Sequence, residues 1–202
     1  MSTMLDMVGA AILFGVLILA VGRVQGNLNS TMYQNTFNLN TQGEAVLMAR
    51  IIEYELAKAG YGVSGNKISV ADSTRIAFQG AMRYGGAVDS ISYYTGIADS
   101  TTMNPYDFKF VRYARSAGSA LSQRVGMTYF RLFYYDTTNT MMSTPVTGSS
   151  NLAAIRSIRV KFRVESLEPI TSAVTGDTSY NARYNAVSWE KLIYPRNLGK
   201  PF

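Results

Sequence analysis

Neither cysteine nor histidine occurs anywhere in the 202 residues of this chain. Without cysteine there is no disulfide framework and no thiolate metal site. Without histidine the usual general base is missing, as are the commonest transition-metal ligand and every Ser-His or Cys-His dyad. Haem would have no histidine or cysteine to hold it. What remains shows no nucleotide-binding loop, no metal-ligand spacing and no nucleophile–base pair. The residues therefore imply no cofactor and no catalytic machinery. Charge is scarce as well, at 16% of the composition, and it is unevenly placed. From Met7 to Gly22 there is none, with Asp6 in front of this stretch and Arg23 behind it. Residues 61–202 hold sixteen bases and nine acids, scattered rather than clustered. The net charge of +6 thus reads as surface potential and solubility, not as a nucleic-acid footprint.

The uncharged stretch is the feature around which the chain is organised. As a helix it is ~24 Å long, between a long core helix and a membrane span of about 20 residues. It is apolar on every side, so no face of it suits water. Met7, Val8, Ile12, Leu13, Phe14, Val16, Leu17, Ile18 and Leu19 must be covered by lipid or by other apolar helices. A secretory signal peptide should carry a basic start, whereas the only charge here is the acid Asp6, although Ala20-Val21-Gly22 fits a small-x-small cleavage pattern. Gly22, Gly26, Asn27 and Asn29 are poor helix formers. They predict a local break between residues 21 and 30, with Gly22 and Gly26 as the breaking residues.

A second helical stretch is expected from Ser30. Ala45, Met48, Ile52, Leu56 and Ala59 recur at spacings of three and four, making one apolar stripe. Glu44, Arg50, Glu53 and Lys58 lie largely off it. Gly60 is placed as the residue that ends the helix. The expected organisation is a tail of residues 1–29 and a head of residues 30–202, the head consisting of a helix over 30–61 and a domain over 62–202.

From Lys67 the period changes from 3.6 to 2. Ile76 and Phe78 alternate with their neighbours, and residues 89–94, 108–113, 128–134, 158–164 and 185–194 read as further strands. Phe130, Leu132 and Tyr134 share one face. Ile158, Val160, Phe162 and Val164 face inward, and Arg159, Lys161, Arg163 and Glu165 face outward. Tyr84-Gly85-Gly86, residues 116–119 and residues 136–139 are turn signals. About six strands after one long helix predict an α+β fold, with an antiparallel sheet packed on the helix. Residues 137–151 and 169–181 are rich in serine and threonine and read as solvated outer loops, open to O-glycosylation. Asn29-Ser30-Thr31 matches an N-glycosylation sequon, a weak signal that makes Asn29 a candidate site. The fourteen tyrosines mostly alternate with apolar residues in strands, which places them in packing rather than on a stacking platform.

Two segments carry a resemblance. Ser2-Thr3-Met4-Leu5-Asp6, followed by the unbroken apolar run, resembles the mature start of type IV pilins and type II secretion pseudopilins, with Asp6 standing where those proteins have glutamate. Ile51-Ile52-Glu53-Tyr54-Glu55-Leu56-Ala57-Lys58-Ala59-Gly60-Tyr61-Gly62 resembles the segment that closes the helix in minor pilins of the J and W type. The resemblance implies a helical spine with a sheet wrapped on its second half. It implies a structural subunit of a helical extracellular filament, held in the inner membrane before assembly, with further copies of itself and an assembly machinery as partners. It also implies that Asp6 neutralises the N-terminal amine of a neighbouring subunit, Met1 being the candidate. Two other readings stand beside it: a minor or tip pseudopilin of a secretion-like machine, and a membrane-anchored enzyme or binding domain.

Overall fold

The structure, a computed structural model, describes residues 2–83, 86–123, 125–169 and 184–199. It begins with one α-helix, α1, over Ser2–Ala57, about 84 Å long at 1.5 Å per residue. Eight strands follow among the described residues: β1 Ile68–Ala71, β2 Arg75–Gly80, β3 Asp89–Ala98, β4 Phe108–Ala114, β5 Ser119–Gln123, β6 Met127–Tyr135, β7 Ser157–Glu165 and β8 Ala186–Ile193. A short helix, α2, occupies Ser149–Ala154. The expected α+β layout holds, but the strands form two sheets instead of one. A five-stranded antiparallel meander has the order β1-β2-β3-β4-β5, and a three-stranded antiparallel sheet the order β6-β7-β8. Gly126 stands between them at φ 64°. A Cβ there would lie 2.0 Å from the Glu165 carbonyl oxygen, so only glycine lets the chain turn this close to β7.

The two sheets and the second half of α1 share one core. The stripe Ala45, Met48, Ile52 and Leu56 on α1, with Ala59 in the turn that follows it, is at most 2% exposed, and α1 lies against β7 and β8. Phe130, Leu132 and Tyr134 on β6, and Ile158, Val160, Phe162 and Val164 on β7, supply the opposing face, all buried as their alternation requires. The sheets meet through Phe110 and Phe130, with ring centroids 4.9 Å apart. Two hydrogen bonds add to this junction, from Leu132 N–H to the Ser73 carbonyl (2.8 Å) and from the Tyr134 hydroxyl to the Asp72 carbonyl (2.9 Å). Gly60, at φ 81°, ends the helical turn after α1, and its N–H bonds the Gln79 carbonyl on β2 (2.7 Å).

Three expectations need correction. The break at Gly22 and Gly26 is absent, since α1 is helical through both. Each glycine costs about 1 kcal/mol against alanine. A break would create two new helix ends, each leaving backbone groups without intrahelical partners, so two glycines are too little to open the chain on its own. The Thr31 hydroxyl also bonds back to the Asn27 carbonyl within the helix (2.9 Å). Second, α1 becomes buried only from Thr41, not from Ser30, so residues 30–40 continue the tail instead of covering the sheet. Third, Glu165 does point away from the core but is 8% exposed, because the segment carrying Asn104 covers it. The Asn104 amide donates to its carboxylate (3.0 Å), and Arg163 pairs with it (2.8 Å).

The loops divide in the same way. Residues 137–151 are only partly solvated. Met141 bridges to Tyr135, and Val146 is 7% exposed, with its N–H on the Ala71 carbonyl (2.8 Å). Residues 170–181 of the other loop, and Tyr84 and Gly85 of one turn signal, lie outside the described residues.

One buried polar cluster fixes α1 to the five-stranded sheet. Glu55, 7% exposed, accepts two hydrogen bonds from Arg112 Nε (3.1 and 3.0 Å) and one from its Nη2 (2.5 Å), and a further one from the Tyr93 hydroxyl. Burial, then the Glu55 charge, holds the Tyr93 hydroxyl well above its ordinary pKa, and burial, then Asp72, does the same to Tyr134. Replacing Arg112 with methionine leaves a buried carboxylate without its cation, and thermal unfolding should show a loss of about 3 kcal/mol. Tyr93→Phe removes only one donor and should cost about 1 kcal/mol. Because the folded-state pKa of both tyrosines is raised, their contribution is complete below the unfolded value of 10.0 and is lost as pH climbs above it. Stability measured across that range should fall on the alkaline side, and less steeply in Tyr93→Phe.

Candidate assembly surface

Among the described residues nothing covers the first part of α1. Met7, Val8, Ile12, Leu13, Phe14, Val16, Leu17, Ile18 and Leu19 are each more than half exposed. The exposed apolar set extends on through Val21, Val24, Leu28, Met32 and Leu39. The helix is long and apolar enough to cross a membrane, and its most apolar stretch is entirely unburied. Between Ser2 and Gly43 its only charges are Asp6 and Arg23, and both are exposed. Asp6 lies four turns or more from Arg23 along the helix, so the two do not pair within one chain. Met1, the candidate amine for Asp6, lies outside the described residues. Gly22 and Gly26 have nothing within 4 Å of where a side chain would stand, which leaves bare backbone on the tail. Asn29 of the sequon is exposed on helical backbone.

Where the tail leaves the head there is a groove of about 550 Å³. Its walls include Phe37, Leu39, Thr41 and Glu44 from α1, and Val125, Val164 and the segment Glu165, Ser166, Leu167 and Glu168 from the head. Among the described residues three acids and no lysine or arginine line it. Two of the head's cations serve internal ends. Lys67 Nζ donates to the Asn197 carbonyl (2.7 Å), and Arg156 Nη1 to the carbonyls of Ala153 (2.6 Å) and Leu198 (3.3 Å), which ties down the C-terminal segment. Burial, then the neighbouring Arg156, lowers the Lys67 pKa. Among the described residues no three carboxylates converge closely enough to hold a metal ion.

The residues named from the sequence thus fall into two groups. The apolar tail, Asp6, Gly22 and Gly26 lie on one exposed helix, at some distance from the core. The cluster of Glu55, Tyr93 and Arg112 was not foreseen. Its signal lies in the spacing: Glu55 stands three residues after Ile52 and seven after Met48, so an acid falls on the apolar stripe and needs a buried partner.

No family model matches the chain, and no curated protein matches it. Among solved structures it is similar to a type IV-like pilin from Thermus thermophilus, with a TM-score of 0.54 and 13% sequence identity, over 79% of this chain and 97% of that one. An identity this low speaks to the fold alone. A long apolar helix that runs from a free tail into an antiparallel head is the layout of that fold, and the chain has the architecture of a type IV-like pilin.

Proposed function

We propose that this chain is a structural subunit of a helical surface filament, polymerised through the uncovered half of α1. The observation that carries the reading is the tail itself. It displays apolar side chains that its own head cannot reach, on a chain with a pilin-like fold. Before assembly a bilayer, the inner membrane, covers this surface; after assembly other copies do. Burial at roughly 25 cal/mol per Å² of apolar surface favours both states over water. Copies stacked head to tail use contacts that do not close, which yields a fibre rather than a ring. The role is structural, and an assembly machinery that lifts the subunit out of the membrane is the implied partner. A second reading, a low-copy minor or tip subunit of a pilus or secretion-like machine, draws on the Ile51 to Gly62 segment. Microscopy and composition of sheared cell-surface material separate the two: long fibres made mainly of this chain support a major subunit, and its absence from fibres refutes that role.

Removing residues 1–29 should leave a soluble, folded monomer, because the core of the head begins at Thr41. Size-exclusion chromatography and circular dichroism check this, and a truncated protein that still formed fibres would contradict the reading. Asp6 is proposed to neutralise the N-terminal amine of a neighbouring copy, at Met1 or at Ser2 if the methionine is lost. Asp6→Ala would then leave that amine buried without a counter-charge, at a cost of several kcal/mol. The variant should reach the membrane in normal amount and yield few or no filaments. Unchanged filament yield per membrane-bound subunit would assign Asp6 to the headgroup level, where it only favours the helix N-terminus.

A further inference from the structure

The filament reading leaves one charge unexplained. Arg23 is the only cation on α1 before Arg50, and no carboxylate pairs with it among the described residues. When the tail is covered by other copies, this guanidinium leaves water with it, and a charge buried without a partner is strongly unfavourable. Its position on the helix is specific. Val16, Leu19, Arg23 and Gly26 follow one another at spacings of three and four, and the same periodic face continues into Thr41, Ala45 and Met48, which pack in the head. The tail therefore carries the head's packing stripe forward, with one cation set in it.

The groove where the tail leaves the head is the matching surface. It has apolar walls in Phe37, Val125 and Leu167, and it carries Glu44, Glu165 and Glu168 with no basic residue among the described ones. Acids alone are unusual here, since residues 61–202 hold sixteen bases against nine acids. Glu165 is already held by Arg163 and Asn104. No cation pairs with Glu44 or Glu168 among the described residues. Gly26, one turn beyond Arg23, adds no side chain that would hold the two backbones apart.

Building on the filament reading, we propose that this groove receives the Arg23 segment of a second copy's α1, with the guanidinium paired to Glu44 and Glu168. The pairing fixes register. Glu44 stands twenty-one residues beyond Arg23, so two parallel copies that match these residues are displaced along the fibre by about 30 Å. Apolar contact alone would let the tails slide, because every turn of the tail offers a similar greasy surface; one cation and one acid-lined groove select a single offset.

Charge reversal and rescue test this in the full chain, with filament yield counted per membrane-bound subunit. Arg23→Glu should lower the yield about tenfold or more. Combining it with Glu44→Lys, or with Glu168→Lys as a second partner variant away from α1, should return the yield to within about threefold of wild type. Rescue by Glu168→Lys cannot come from restored insertion of α1, since Glu168 lies on the head and away from the helix that carries Arg23 and Glu44. The pairing is overturned if Arg23→Glu polymerises normally, or if neither head variant restores it. Rescue by Asp6→Lys instead would also overturn it, by assigning Arg23 to the other end of a neighbouring tail. In each of these cases wild-type fibres still form and the filament reading stands. If wild-type chain makes no fibres, both fail together.

Discussion

A helix must hide its apolar side chains somewhere, and α1 hides only those in its last third. From Thr41 onward the stripe meets β7 and β8 and becomes core. Before Phe37, which lines the groove beside the head, the same kind of side chain stays exposed among the described residues. No rearrangement of this head could cover a tail of that length, because the helix carries it too far away. The surface is therefore a permanent demand on the surroundings, and everything else in the molecule is arranged so that the demand is made from a stable platform.

The platform depends on how α1 is seated. Hydrophobic stripes are tolerant of sliding and rotation, but directional groups are not. Glu55 holds both Arg112 and Tyr93 on the five-stranded sheet. Lys191 of β8 pairs with Glu53 on the outer side of the helix. Lys58 Nζ donates to the Met82 carbonyl (2.5 Å) just beyond the last turn. A buried ion pair adds little net stability over a well-packed apolar substitute. Its contribution here is geometric: it sets the rotation and axial position of α1, and so the direction in which the tail leaves the head.

Much of this was legible in the residues. The stripe from Ala45 to Ala59 and the alternation in β6 and β7 are strong periodic signals, and both lie where expected. β1 and β5 were missed because four residues, or five with a single large apolar one at a sheet edge, carry too little period to separate from loop. The expected break failed for a different reason. Propensity weighs residues one at a time, whereas opening a long helix costs several backbone hydrogen bonds together. Glu165 was placed on the right face, but alternation reports only the side of a sheet and not what folds over it. The partner of the tail is the part least accessible to pattern. Periodicity shows which surface is apolar; what covers it depends on a second molecule.

The strand against which α1 seats has a consequence for the order in which the molecule can form. β8 runs over Ala186–Ile193, near the end of the chain, and its Lys191 reaches back 138 residues to Glu53. The contacts that complete the core are thus among the most distant in sequence, and loop closure over such spans makes them slow to form. During synthesis the apolar tail emerges before the head, and the buried stripe of α1 emerges while the sheet on which it packs still lacks its last strand. For that interval the stripe on the second half of α1 is as bare as the tail. Early capture of the N-terminal end by a bilayer would remove the tail from solution while the head waits for its own C-terminus, leaving only the shorter stripe exposed to aggregation until β8 arrives.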